Sequence, residues 1–221
     1  MIQRKHYLSE IRPFYESDLI KVITGIRRCG KSIVLEQIKN ELAKQEKDII
    51  YLNFEDRSVS LQITNDEQLI KYIEEKRSKD KEKCYVFLDE VQTVKNWNLA
   101  CKTLRLHNIS LFITGSNSKL LSKEFTKELS GRYVAFEIRP FVYKEILQYA
   151  AELKRDISIT DYLVFGGFPK RLEFSDEKAV LQYLNDLDET IVLNDIMNRY
   201  KIRKEELFRK LVNYISIHNI I

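Results

Sequence analysis

Eight consecutive residues, Gly25-Ile26-Arg27-Arg28-Cys29-Gly30-Lys31-Ser32, have the types and spacing of a loop that cradles phosphate. Glycine at both ends of G-x-x-x-x-G-K-[ST] lets the backbone curl until several N–H groups aim at phosphate oxygens. Lys31 supplies a point charge to the β- and γ-phosphates, and Ser32 a hydroxyl to Mg²⁺. A helix beginning there adds its positive end. Gly25 through Ser32, with Ile33 behind them, are therefore the candidate nucleotide-binding residues, and ATP with Mg²⁺ the implied ligands. At average composition chance produces this pattern in roughly one chain in a hundred of this length. The apolar run before it and the helical pattern after it make chance rarer still.

Tyr85-Val86-Phe87-Leu88-Asp89-Glu90 is an apolar strand that ends in two carboxylates. Asp89 is placed to hold Mg²⁺ through its water shell, and Glu90 to orient or deprotonate an attacking water. A water-activating Glu points to hydrolysis rather than to transfer onto a small molecule. The run Ile109–Thr114 ends in Gly115-Ser116-Asn117, where Ser116 or Asn117 would polarise the water or sense the γ-phosphate; an ordinary turn is the plainer reading. Arg132, after Leu129-Ser130-Gly131, has the charge to stabilise phosphoryl transfer, within its own chain or on a neighbour's site. The plain alternative is a structural arginine. Cys29 lies beside Lys31 at a helix start, conditions that lower a thiol's pKa, so alkylation is expected to block nucleotide binding and ATP to protect; an inert small side chain is the plain alternative. No N-K-x-D guanine signature occurs, which favours ATP over GTP.

The elements that must position these groups follow from periodicity. Short apolar runs at Leu19–Thr24, Ile49–Phe54, Cys84–Leu88, Ile109–Thr114 and Tyr133–Ile138 alternate with helical patterns. Those helical patterns carry Ile33 to Leu42, Leu69 to Ile73, Trp97 to Leu106, and Leu120 to Phe125. Alternation of this kind predicts an α/β fold, three layers around a mostly parallel five-stranded sheet. In such a sheet, ligands bind beyond the carboxyl ends of the strands. The predicted core spans 1–140 with an N-terminal helix, and residues 141–221 are helical, beginning as a small lid appended to the sheet. Helices are expected over Phe141–Leu153, Glu177–Asn198 and Lys204–Ile217, with a break at Gly166-Gly167-Phe168-Pro169.

Composition narrows the classes. With 221 residues and 44% hydrophobic content the chain is long enough for a buried core and is no disordered tail. Uninterrupted apolar runs of about five residues fall far short of the ~20 that span a bilayer. The charged start, MIQRKHYLSE, is not a secretory signal. Three widely spaced cysteines argue against a disulfide framework and fit a reducing cytoplasm. A net charge of +4 permits nucleic-acid contact without requiring it. The basic stretch Arg199 to Lys210 reads as a solvated amphipathic helix, with a DNA-facing helix as the alternative. Glycine is scarce, six residues or about 3% against a usual ~7%, and every one lies in a segment expected to face the nucleotide.

Taken together, KVITGIRRCGKS, FLDEVQ followed by Trp97, FITGSNSKLL, LSGR, IRPF…KEI and YLVFGGFP cover most of residues 19–170. In them the chain resembles a AAA+-type P-loop ATPase, and more closely the bacterial and archaeal ATPases with a divergent core and a C-terminal domain of unknown function. The GGFP segment is similar to the lid turn of STAND-type switch ATPases, which implies that Pro169 lies against adenine and Arg171 contacts phosphate. Arg132 falls where many AAA+ proteins carry an arginine finger, which implies a homo-oligomer. Relatives of this kind continue further, and the chain ends on the apolar HNII, so a truncated C-terminal module is expected. The implied activity is Mg²⁺-dependent ATP hydrolysis coupled to movement of the lid. The alternative is a nucleotide-gated module for a DNA or protein partner with little turnover.

Overall fold

A computed structural model of the chain describes residues 2–115, 129–197 and 200–218. Five strands, β1 (Ile20–Thr24), β2 (Asp48–Asn53), β3 (Cys84–Asp89), β4 (Ile109–Thr114) and β5 (Tyr133–Glu137), form one sheet in the order β2-β3-β4-β1-β5. All neighbouring pairs are parallel. The central strands β1, β3 and β4 are buried along their whole length, which explains their unbroken apolar runs.

Successive side chains of these strands leave on opposite faces. One face carries Ile23, Tyr85, Phe87 and Phe112 against helices α1 (Lys5–Ile11) and α2 (Lys31–Ala43). Phe87 and Phe112 stack there, ring centroids 4.7 Å apart. Each such side chain stabilises the fold by about 1.5–3 kcal/mol when fully buried. The other face carries Val22, Leu52, Val86, Leu88 and Ile113. It is covered by α4 (Asp66–Lys76) and α5 (Trp97–Leu104), while the short α3 (Arg57–Gln62) follows β2. Trp97 is a packing residue, as its apolar neighbours suggest, but Leu99 and Leu106 of the same predicted stripe are 42% and 72% exposed. Leu106 falls past the end of α5, in a 3₁₀ turn over Arg105–His107 where the α-helical period no longer applies. The helix expected around Leu120, Leu121 and Phe125 lies outside the described residues.

Beyond Pro140 come α6 (Tyr143–Glu152), α7 (Ile159–Phe165), a 3₁₀ turn (Pro169–Glu173), α8 (Glu177–Glu189) and α9 (Glu205–His218). The helix predicted from Glu177 changes to π-type winding over Thr190–Met197. A small cluster of Ile2, Phe141, Ile146, Ala150 and Leu172 fastens these helices to the N-terminal segment. No helix among the described residues is long and apolar enough to cross a membrane. All three cysteines are buried and free.

Candidate nucleotide site

Four helices here start on a polar side chain that accepts a hydrogen bond from the first turn. Asp56 does so for α3, Asn65 for α4, Ser158 for α7 and Asp176 for α8. At α2 the N-cap is Gly30, left-handed at φ 101° and without a side chain to cap the helix. The orphan amides at that end are the kind that bind an anion. The curl of the loop also depends on Gly25 (φ 147°), where a Cβ would lie 2.2 Å from the Ile138 carbonyl oxygen. Any other residue at 25 would push the loop off β5 and the segment after it. Lys31 is 6% exposed, and its Nζ donates to the Gly25 and Ile26 carbonyls at 3.3 and 3.2 Å. Glu90 Oε1 stands 4.0 Å from it.

Parallel register sets the end of β4 beside the end of β3, with Leu88 opposite Ile113, so Asp89 and Thr114 meet at one edge. Asp89 is 1% exposed and accepts from three hydroxyls: Ser32 Oγ at 3.1 Å, Tyr51 at 3.1 Å, and Thr114 Oγ1. Burial, then the Asp89 charge, raises the Tyr51 phenol well above its ordinary pKa. Thr114 Oγ1 in turn accepts from Glu90 N at 3.0 Å. Glu90 takes a left-handed conformation, φ 55°, which turns its side chain off the strand line and leaves its carboxylate bonded to Gln92 Nε2. A non-glycine residue held there stores about 1–3 kcal/mol of strain. Two hard oxygen groups, the Ser32 hydroxyl and the Asp89 carboxylate, thus meet beside the phosphate loop, a donor set that fits Mg²⁺.

Loop, strand ends and C-terminal helices enclose a cavity of about 810 Å³, within the range of small-molecule sites. Of the predicted residues, Arg27, Arg28, Gly30, Lys31, Ser32 and Ile33 line it, as do Glu90 and Pro169. Ile2, Arg4, Phe141, Tyr149 and Tyr183 line it too, and the sequence reading missed them. Phe141 lies in the IRPF stretch without a role read from it, and nothing local marks the others, because the fold gathers them from the N-terminal segment and the helices α6 and α8. Arg28 of the loop lies 5.7 Å from the centre of the Tyr183 ring on α8.

Four expectations need correction or fall elsewhere. Cys29 is fully buried, and burial raises its thiol pKa against the opposing pull of Lys31 and Arg4, the reverse of the shift expected for a reactive thiol. Arg171 is 2% exposed, ion-paired with Asp161 at 2.9 Å and bonded to the Gly166 carbonyl at 2.8 Å. It braces α7 instead of facing phosphate. Arg132 directly precedes β5, and its carbonyl accepts from Ile20 N at 2.9 Å, at the start of β1. The phosphate loop leaves the other end of that strand, roughly 16 Å away along five residues, so Arg132 and Gly131 stand at the far edge from their own loop. Ser116 and Asn117 lie outside the described residues; the polar group described at the end of β4 is Thr114. On α9, Arg209 pairs with Glu205 and Glu189, and Lys210 with Glu206, as on a solvated face.

The sequence model of a family described as an AAA domain matches residues 17–147. The chain is 36% identical to an uncharacterized protein of Haemophilus influenzae, across 98% of this chain and 56% of that protein. It is 35% identical to an uncharacterized protein of Methanocaldococcus jannaschii, across 89% of this chain and 46% of that one. It therefore spans about half the length of the curated relatives it matches. Among solved structures, AMPPCP-bound DnaA from Aquifex aeolicus has TM-score 0.54 at 14% identity, covering 99% of this chain and 81% of that one. Replication initiator DnaA bound to AMPPCP and single-stranded DNA also has TM-score 0.54, at 19% identity, covering 91% and 71%. At such identities the likeness speaks to the fold alone. With the family match lying over the sheet and the loop it needs, and running through more than half of the 221 residues, the chain belongs to the AAA domain family.

Proposed function

We propose that the chain binds ATP in the cavity above α2 and hydrolyses it, with the C-terminal helices responding to the nucleotide. The observation that carries this is the meeting of Lys31, Ser32, Asp89 and Glu90 in one place from two separate chain segments. The uncapped start of α2 and Lys31 hold the β- and γ-phosphates. Ser32 and Asp89 would hold Mg²⁺, which when bound neutralises charge on those phosphates. Glu90 takes a proton from, or orients, the attacking water. Thr114 holds the Asp89 carboxylate and the Glu90 backbone amide, while Gln92 holds the Glu90 carboxylate. The base lies against Pro169, which the cavity places on the side of the C-terminal helices. Because Tyr149 and Tyr183 wall the same cavity, gain and loss of nucleotide change what α6 and α8 pack against.

The position of Arg132 favours a second reading for the isolated chain. If an arginine at the far edge of the sheet completes a neighbouring copy's site, a lone copy would hold ATP as a switch and turn it over slowly. Phosphate release from Mg-ATP, followed as chain concentration rises, separates the two. Release per chain that climbs with concentration and is lost in Arg132→Ala supports hydrolysis completed by a neighbour. Tight ATP binding with no release at any concentration supports the switch. A chain that neither binds nor hydrolyses ATP overturns both.

A further inference from the structure

Arg4 lies outside every motif of the sequence, yet it is among the most deeply buried large side chains of the molecule, 1% exposed. Its guanidinium ties the N-terminal segment to two stretches distant along the chain, the phosphate loop and residues 139–145. Nη1 donates to the Cys29 carbonyl in the phosphate loop at 3.1 Å and to the Arg139 carbonyl, just after β5, at 2.8 Å. Nε and Nη2 donate to the two oxygens of Glu145 on α6, both at 2.9 Å. The plane sits between the rings of Tyr7 and Phe141, 4.6 and 5.1 Å from their centres. The backbone around Arg4 is tied to α2 as well, since Gln37 accepts from Arg4 N at 3.0 Å and donates to the Ile2 carbonyl at 2.8 Å. Glu145 is itself buried, and its second oxygen accepts from Val142 N at 3.0 Å, at the start of α6.

Only an arginine does this work. Its planar fork supplies parallel donors to a carboxylate and further donors in the same plane, whereas a lysine ammonium is a single point. The arrangement is also directional. Bound phosphates fix the Cys29–Gly30 stretch, whose carbonyl is one of the four acceptors of Arg4, and the Glu145 carboxylate at the other side of the same plane carries the start of α6.

We propose that Arg4 is a positioning residue that couples the phosphate loop to the C-terminal helices, through Cys29 on one side and Glu145 on the other. Arg4 and Glu145 act as one unit: nucleotide in the loop holds α6 in place, and α6 held in place favours nucleotide by the same factor. The inference rests on the nucleotide reading above and adds how occupancy reaches the helices.

The test uses the full chain with AMPPCP and Mg²⁺ as the probe, comparing wild type, Arg4→Lys, Glu145→Gln and the double variant Arg4→Met/Glu145→Met. The double variant leaves no unpaired buried charge, which keeps the comparison possible if a single replacement unfolds the chain. Amide hydrogen exchange is read separately over the phosphate loop and over residues 143–152. Wild type is expected to gain protection in both on adding AMPPCP. The variants keep protection at the loop when saturated and lose the added protection of 143–152, with the dissociation constant rising about tenfold. The double variant shows no larger loss than Glu145→Gln, as expected for one shared interaction. A merely structural pair would lower the melting temperature and leave AMPPCP-induced protection of 143–152 intact; that outcome overturns the inference and leaves nucleotide binding standing. A wild type that binds no AMPPCP overturns the nucleotide reading, and this inference with it.

Discussion

Lys21 lies near the start of β1, and Lys31 follows the loop that leaves its end, so two lysines ten residues apart mark opposite edges of the sheet. Both are buried. Lys31 opens onto a cavity, donates to two loop carbonyls and has the Glu90 carboxylate at 4.0 Å. Lys21 is sealed at 0% exposure. It donates to Ser110 Oγ at 2.8 Å and the Ser17 carbonyl at 3.2 Å, both neutral acceptors, and lies 4.7 Å from the centre of the Phe112 ring. Burial, with Lys83 nearby, brings its ammonium down to about 7 against the pull of Asp18 and Glu16. The same residue type is thus a ligand-ready charge at one edge and a plug at the other. Partners that can be exchanged for a ligand, not burial by itself, separate a functional buried charge from a structural one.

The largest effect expected at the site edge is on turnover. Glu90→Gln keeps nearly the same shape and removes the group that handles the water's proton, so single-turnover hydrolysis should fall by about 10²–10⁴. Nucleotide affinity should hold in that variant; equal hydrolysis would take Glu90 out of the chemistry. Next comes Lys31→Ala, which deletes a charge-assisted contact to phosphate. Calorimetric titration with AMPPCP should show a loss of about 3 kcal/mol, roughly 100-fold in affinity, with the fold retained.

At the far edge the expectation reverses. Lys21→Met should leave nucleotide affinity alone and raise stability by about 1–4 kcal/mol in urea titrations at neutral pH, because it removes an ammonium whose burial outweighs the pull of Asp18 and Glu16. The pH dependence carries the sign. Between about 7 and the ordinary lysine value of 10.5, the unfolded chain binds a proton that the folded chain does not. Wild-type stability should therefore rise with pH across that window, the penalty being fully present below about 7. Lys21→Met should lack this rise. If both chains follow the same pH profile, the ammonium is not the cost assigned to it. The smallest effect concerns Cys29, whose alkylation at pH 8 should be slower in the folded chain than in urea, since its thiol is buried and its pKa raised. Rapid native labelling that ATP blocks would restore the reactive-thiol reading.

Contiguous features were readable along the chain. The phosphate loop is eight adjacent residues, and Asp89-Glu90 end a strand whose burial on both faces leaves an unbroken apolar run. Strand ends came within a residue or two, and Ile109–Thr114, buried along its whole length, matched at both ends. Features decided at long range were not readable. Cys29 has the neighbours of an activated thiol, but the packing of α1 and α2 on the sheet buries it, and desolvation wins. Arg171 follows a turn that resembles a lid contact, yet its partner Asp161 belongs to α7, a seven-residue helix that the periodicity did not reveal. Arg132 directly follows Gly131 in the sequence, and only the parallel register with β1 shows which edge it stands on.

The sequence by itself determined the sheet, the phosphate loop and the carboxylates opposite it, because each depends on local periodicity or on adjacent residue types. Tertiary structure decided which charges face the cavity and which are sealed away. It also brought Arg4, Glu145 and the Cys29 carbonyl together across 141 residues of chain. Such contacts follow from how strands are ordered and helices packed, and the energy of a buried charge depends on every group that surrounds it in space, which no stretch of neighbouring residues encodes.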